Sequence, residues 1–374
     1  MAHAYTPGLR VTERTRISKV RRLPLKGQVL VGKGTPVLAE TVVARTELPG
    51  NVQPVKAASI LGVSPQDLLE YMLKKEGDAV EKDEIIARSR SFFGLFNSKV
   101  LSPCSGKVES VSIVTGQVIL REPPIPVEVQ AYIDGVVTSV LEGEGVVVEA
   151  EGAFIQGIFG VGGEVYGSLV TVVDDPSVQL TPDRLRPEHR GKVVVGGSRV
   201  DRATIDKARE LGIRAIVVGG LDDQDLRAIL GYDLGVAITG HEQLGVTVVV
   251  TEGFGTMSMA TRTFDLLRRF EGKKVSVNGA TQIRAGVMRP EIVIPLTSAS
   301  LSERAAEEEP KGLGLGSPIR VIRMPHFGRL GEVIALPHEL QPLETEAKVR
   351  VLRVRFQEGE EATLPRANVE AIET

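Results

Sequence analysis

The chain has 374 residues, enough for roughly two to four domains with cores of their own. Hydrophobic content of 42%, charged content of 25%, 40 glycines, no tryptophan and 4% aromatics exclude a large helical bundle and favour turns and small β-rich domains in a soluble protein. A net charge of −3 excludes wholesale attraction to nucleic acid or acidic membranes, and the one cysteine, Cys104, excludes an intrachain disulfide and a multi-cysteine metal site. No signal-peptide pattern opens the sequence and no apolar run approaches the roughly 20 residues that cross a bilayer, so the expected address is the cytoplasm.

Residues 1–25 carry Arg10, Arg14, Arg16, Lys19, Arg21 and Arg22 among Val11, Ile17, Val20 and Leu23. This reads first as a strand with a solvated basic face, and second as an arm that touches RNA or phosphate. Two echoes follow. Gly34-Thr-Pro-Val37 with Val42-Val43-Ala44-Arg45 recurs as Gly77-Asp-Ala-Val80 with Ile85-Ile86-Ala87-Arg88. Gly106-Lys-Val108-Glu-Ser110-Val111 with Gly116-Gln-Val118 recurs as Gly135-Val-Val137-Thr-Ser139-Val140 with Gly145-Val-Val147. Each unit predicts a tight glycine turn beside short β-branched strands, and two such halves closing on one another predict a small sandwich or barrel. Between the echoes, Ser64-Pro65 predicts a helix start, with Leu68, Leu69, Tyr71, Met72 and Leu73 following.

The stretch Gly77-Asp-Ala-Val80, Ile85-Ile86-Ala87 and Ser102-Pro103-Cys104-Ser105-Gly106-Lys107-Val108 resembles the barrel-sandwich hybrid family, which includes the biotinyl and lipoyl carrier domains. The resemblance implies a hairpin tip eight residues before Pro103, where carriers hold their modified lysine. That position is Leu95, inside Ser91-Phe-Phe-Gly-Leu-Phe-Asn97, and the nearest lysine, Lys99, falls where the next strand should begin. A lipoyl-like scaffold without its acceptor implies no tethered cofactor. Phe92, Phe93, Leu95 and Phe96 are then candidate partner-binding residues, with burial under a neighbouring domain or a second copy of the chain, and membrane insertion, as the other readings. Cys104 reads as a half-buried small residue of the turn.

Glycine-punctuated β segments at 151–173 complete a β-rich module over 1–175, and a proline-containing linker is expected at 176–191. From 192 to 296 strands and helices alternate: a strand at 192–195, helices at 201–211 and 222–230 stopped by Gly212 and Gly231, strands at 213–218 and 245–250, a helix through Phe264, Leu267 and Phe270, then strands at 275–277 and 291–294. This predicts an α/β domain with a parallel-type sheet. Ligands of such folds sit at the loops after the strands. Ser198, Gly253, Gly255 and Ser258 are the candidates there, for an anionic small molecule, although Gly253-Phe-Gly255 lacks the third glycine of a dinucleotide loop and the lysine of a P-loop. Tight strand-to-helix turns explain the same residues without a ligand.

A charged, glycine-containing linker is expected at 297–316. Beyond it, Ile319-Arg-Val-Ile-Arg-Met-Pro325-His-Phe327-Gly328-Arg-Leu-Gly331-Glu-Val333 resembles the KOW motif of small SH3-like barrels found in ribosomal proteins and transcription elongation factors. His326 stands where that motif usually has its aromatic, with Phe327 shifted by one. The resemblance implies an SH3-type barrel over 317–374, marked by Pro325, Phe327, Gly328 and Gly331, that contacts RNA, polymerase or other proteins. Arg350 and Arg353 could form a local basic stripe with Arg355. Yet from Ser317 onward eight Lys and Arg face nine Glu, which gives phosphate no basic surplus and favours protein contact.

No histidine pair has metal-ligand spacing, no nucleophile elbow occurs, and no catalytic, metal or cofactor residue is assigned. The sequence therefore predicts a multidomain, cytoplasmic, non-catalytic scaffold: a barrel-sandwich hybrid, a central α/β domain and a KOW-like barrel. Protein partners are expected, and self-association remains open. The alternatives are an RNA-, ribosome- or RNA-polymerase-associated factor, and an enzyme or sensor using the α/β domain.

Overall fold

The computed structural model describes residues 9–89, 98–231, 244–282, 288–296, 314–321, 326, 329–337, 339–342, 348–356 and 359–373. It is strand-rich, with several sheets, as the composition predicts. The chain opens with one long strand, β1 (Leu9–Arg22), followed by β2 (Gln28–Val29), β3 (Pro36–Val37), β4 (Val42–Leu48) and β5 (Val52–Val55). Two short helices, α1 (Ala57–Leu61) and α2 (Leu68–Tyr71), precede β6 (Ala79–Val80) and β7 (Ile85–Arg88). Then come β8 (Lys99–Leu101), β9 (Gly106–Ser112), β10 (Gln117–Arg121), β11 (Ile125–Gln130) and β12 (Gly135–Leu141). Pro65 opens a 3-10 turn, Pro65–Asp67, that leads into α2, whereas α1 has no counterpart in the sequence reading.

The echoes are structural repeats, but they do not close on one another as two halves of one barrel. They build two separate modules, one inserted in the other. In the inner module β6 pairs with β9, placing Val80 opposite Gly106; in the outer module β3 pairs with β12, placing Val37 opposite Gly135. Ala87 faces Val100 in the inner module, and Ala44 faces Val129 in the outer. Even the irregularity is shared: Glu109 is skipped between β9 and β10, and Thr138 between β12 and the following strand, β13 (Gly145–Gln156). Gly34 and Gly77 both adopt positive φ, +85° and +92°, and donate to the carbonyls of Val137 and Val108. A residue with a Cβ would resist that turn, which is why glycine marks both copies.

The inner hairpin β7–β8 flanks residues 90–97. Its counterpart in the outer module, β4–β11, flanks residues 49–124, which contain the whole inner module. Two cores follow from this nesting. Among the described residues one is built from those between Val55 and Leu120, including Leu68, Ile86, Val100, Val108 and Val118. The other joins Ile17, Val43, Ile133, Val137, Val146 and Val148 to Phe154 and Val293 of the next unit. At the neck Gly50 lies so close to the opposite strand that a Cβ would meet the Glu122 carbonyl oxygen at 2.0 Å.

β13 runs on into β14 (Phe159–Val161), and β15 (Glu164–Thr171), β16 (Val193–Val195) and β17 (Arg199–Val200) follow. Helix α3 (Arg202–Leu211), β18 (Ala215–Leu221), α4 (Asp223–Leu230), β19 (Thr247–Phe254), α5 (Thr261–Arg269), β20 (Lys274–Asn278) and β21 (Glu291–Pro295) complete the central unit. β15, β16, β18 and β19 run parallel, while β13, β20, β21 and β14 pair antiparallel, so the sheet is mixed rather than parallel throughout. Because β13 pairs with β21 and its continuation β14 pairs with β19, these pairings close a ring. One apolar cluster draws on every strand of that ring except β14, including Ile155, Ile292, Val277, Leu169, Val195, Val217 and Val249, and α5 adds Phe264, Leu266 and Leu267 to it. α3 and α4 cover the outside through Ile205, Ala208 and Leu226.

The boundary expected at residue 175 cuts across this ring, since β13, β14 and β15 are strands of it and β1 pairs with β13. Nor is 176–191 a free linker. Leu180, Leu185 and His189 are buried, and two 3-10 turns, Pro182–Arg184 and Pro187–His189, pack the segment against α3 and the sheet. Gly212 and Gly231 end α3 and α4 as predicted, in left-handed conformations, and Asp201 caps the start of α3 by accepting the Thr204 N–H at 2.8 Å.

The C-terminal unit is a half-barrel. β22 (Pro318–Val321), β23 (Leu330–Ala335), β24 (Leu340–Pro342), β25 (Lys348–Phe356), β26 (Glu361–Pro365) and β27 (Val369–Glu373) surround Ile319, Val333, Leu352, Val354 and Phe356. β27 turns back to pair with β22 and, in parallel, with the start of β1. Among the described residues no helix is long and apolar enough to cross a membrane.

Candidate functional site

The strand ends that the sequence singled out do meet. At the C-terminal end of the parallel strands, Gly220 of β18 lies between Arg199 of β17 and Gly253 of β19. A Cβ on Gly220 would stand 2.1 Å from the Gly255 carbonyl oxygen and 3.0 Å from that of Ser198, and one on Gly219 would meet the Met257 carbonyl oxygen at 2.1 Å. These glycines let the segment after β19 lie directly on β18. Ser198 is buried, Gly255 has φ +91°, and Ser258 is exposed. The helix that follows begins at Thr261, with Ala260 at its cap.

The charges at this end come from Arg199 and Glu252, which stand inside the candidate loops 196–199 and 251–258 but carry no assigned role in the sequence analysis, and from Arg320. Arg199 is held by Asp222 and, at 3.1 Å, by Asp225, while its Nε is buried without a hydrogen-bond partner. Glu252 is buried and accepts the Ala260 N–H at 3.0 Å through Oε1, putting a carboxylate where the start of α5 favours negative charge. Its Oε2 accepts from Arg320 of the half-barrel. Arg320 also donates to the Thr251 carbonyl oxygen at 3.2 Å and lies 3.6 Å from Glu370, which Arg289 holds at 2.9 Å. The Arg320 side chain is 4% exposed, that of Glu252 5% and that of Glu370 3%. The whole network therefore sits in a low dielectric, where its members are strongly bound to one another. Arg320 stands inside Ile319-Arg-Val321 and Glu252 just after Val248–Thr251. Glu252 lies in the candidate loop 251–258 and Arg320 in the KOW-like motif, but a lone charge inside an apolar strand did not point to a partner.

A second charged seam joins the outer module to the ring. Along β1, Arg16 pairs with Glu149, Lys19 with Glu291 (2.5 Å) and Arg21 with Glu164 (2.6 Å), and Arg14 pairs with Glu151. The basic face of β1 is thus engaged by acids across the sheet, which leaves the reading of a phosphate-binding arm without its surplus charge. Tyr132 lies under Lys19 and Arg21, with its ring centroid 6.0 and 5.3 Å from their cationic centres, and has φ +71°. Burial first, then Glu291 and Glu164, push its phenol well above the ordinary tyrosine value. Its hydroxyl lies within electrostatic reach of Glu291 without a hydrogen-bond partner. Nearby, Lys274 bridges Glu40 at 2.6 Å and Asp134 at 2.7 Å.

In the half-barrel, Arg353 and Arg355 both donate to Glu361, and Arg329, stacked 3.8 Å over Phe356, pairs with Glu360. Arg350 is exposed on β25. Gly331 allows close strand contact, since a Cβ there would stand 2.4 Å from Val354. Pro325, Phe327 and Gly328 lie outside the described residues, as do Phe92, Phe93, Leu95 and Phe96. Their flanks are placed: Ser89 donates to the Ser98 carbonyl oxygen, and Lys99 opens β8 with an exposed side chain. Cys104 is half-buried, and burial raises its thiol pKa. Among the described residues no cluster of His, Cys, Asp and Glu has the makings of a metal site.

Compared with protein-family models, curated proteins and solved structures, the chain matches none.

Proposed function

We propose that this chain is a non-catalytic cytoplasmic scaffold that holds protein partners, using the inner module as an outreached arm and the half-barrel as a second contact. One observation carries the reading. The outer module uses its hairpin tip to mount a complete second copy of itself, and the inner module repeats the same hairpin around residues 90–97. That segment, Arg90-Ser-Phe-Phe-Gly-Leu-Phe-Asn97, contains no lysine to bear a prosthetic group. The shared registers and bulges support the barrel-sandwich hybrid resemblance, and the exposed Lys99 belongs to a strand rather than a tip.

For the half-barrel, the SH3-like, KOW-type reading is supported by the strand order β27-β22-β23-β25-β26 and by the 3-10 turn Arg366–Asn368 that returns the chain to β22. Protein is favoured over RNA as its partner because Glu360 and Glu361 already hold Arg329, Arg353 and Arg355.

The test is excision of the arm. Residues 46–127 are replaced by residues 89–98, which close the same hairpin in the inner copy. Cross-linking in the source cell with the full and the shortened chain then compares what each holds. Loss of specific protein cross-links from a folded, shortened chain supports the scaffold. Cross-links to RNA that fall with salt favour the RNA-associated alternative. Stabilisation of both chains by a nucleotide or phosphorylated metabolite, abolished by Gly255→Val, favours the small-molecule alternative at Ser198, Gly253, Gly255 and Ser258.

A further inference from the structure

Glu252 is shared between two units. One oxygen accepts the Ala260 N–H at the start of α5, and the other accepts from Arg320 of the half-barrel. From this geometry we infer that the Arg320–Glu252 contact is a latch that couples docking of the half-barrel to the order of residues 253–260. Loosening β22 and β27 at this contact loosens the segment, and loosening the segment loosens those strands, while the pairing of β27 with β1 and the Arg289–Glu370 pair keep the two units together. The inference is independent of the scaffold reading.

Three observations support it. First, a carboxylate as buried as Glu252 cannot stay in place without its cation, so loss of Arg320 drives it toward water and away from Ala260. Second, the other anchors of the segment leave its middle open: Gly253 and Phe254 pair with β18, Gly255 donates to the Leu221 carbonyl oxygen at 3.0 Å, and the buried Met259 donates to the Pro176 carbonyl oxygen at 3.2 Å, while Thr256 and Ser258 between them are exposed. Third, the interface is incompletely paired. Arg320 Nε and Glu370 Oε1 are buried without hydrogen-bond partners, so its charges select one docked arrangement without making the strongest joint.

Amide hydrogen exchange on the full chain tests the coupling, since local opening sets the exchange rate. In Arg320→Gln, the amides of 260–264 are expected to exchange about tenfold faster, together with β22 and β27, while β9 and β10 of the inner module keep their wild-type rates. Coupling is reciprocal, so Ala260→Pro must loosen β22 and β27 from the other side. Ala260 has φ −55° and ψ 131°, a conformation that proline adopts, so this variant removes the N–H and crowds the carboxylate without breaking the helix. It carries the test should Arg320→Gln fail to fold. Unchanged exchange at 260–264 in a folded Arg320→Gln, or unchanged β22 and β27 in Ala260→Pro, overturns the latch.

Discussion

The outer and inner modules have the same registers, the same turn glycines and the same skipped residue, yet they are held in opposite ways. The outer module shares its core with the ring through Phe154 and Val293 and is tied to it by Lys19–Glu291, Arg21–Glu164 and Lys274–Asp134. The inner module keeps its core to itself and is joined through the neck at Gly50 and Glu122. One local fold can therefore serve as a fixed wall or as a mounted arm. What decides is where its apolar face and its charges find partners.

Core truncation breaks the comparison most sharply. Leu120→Ala and Ile133→Ala each remove a fully buried side chain, at about 2–5 kcal/mol. Calorimetry should show Leu120→Ala lowering a separate inner-module transition and Ile133→Ala lowering the transition of outer module and ring together. A single shared transition in both variants would contradict independent cores.

The seam comes next. Lys19→Met leaves Glu291 half-buried without its cation, at about 1–3 kcal/mol, and urea unfolding should register that loss in the joint transition of outer module and ring and not in that of the inner module. Matched turn changes are smaller. Gly34→Ala and Gly77→Ala force alanine into positive φ with open space around it, so each should cost about 1–2 kcal/mol, Gly34→Ala in the outer transition and Gly77→Ala in the inner.

The smallest effect is a pH dependence confined to the ring. Desolvation lowers the pKa of His189, whose Nδ1 accepts the Arg186 N–H at 3.2 Å. Its folded pKa thus lies below the unfolded value near 6.5. The stability it contributes is present above that pH and is lost as pH falls through the folded pKa. Thermal unfolding between pH 7 and 5 should show a decline in the joint transition of ring and outer module that His189→Asn removes.

How much of this was legible in the sequence follows from which features are local. The turns were legible because Gly34, Gly77, Gly212 and Gly231 mark conformations that other residues resist. The nesting was not, because strand pairing is a tertiary choice. The order of the echoes held the clue: copies at Gly34 and Gly135 enclose copies at Gly77 and Gly106. The strand β1 could be read from its alternation, whereas its acids lie more than a hundred residues away. At the candidate site, Gly253 and Gly255 stood out as punctuation. Glu252 and Arg320 did not, since a charge inside an apolar strand names no partner until the fold supplies one.

The nesting also fixes a sequence of events during synthesis. β4 leaves the ribosome long before β11, and everything between them is the inner module, whose core, among the described residues, closes within its own span. That module can therefore finish folding while its host is still missing half its strands. The ring must wait longer still, for β21 to reach β13, so until about four-fifths of the polypeptide has emerged its strand edges stand open to aggregation.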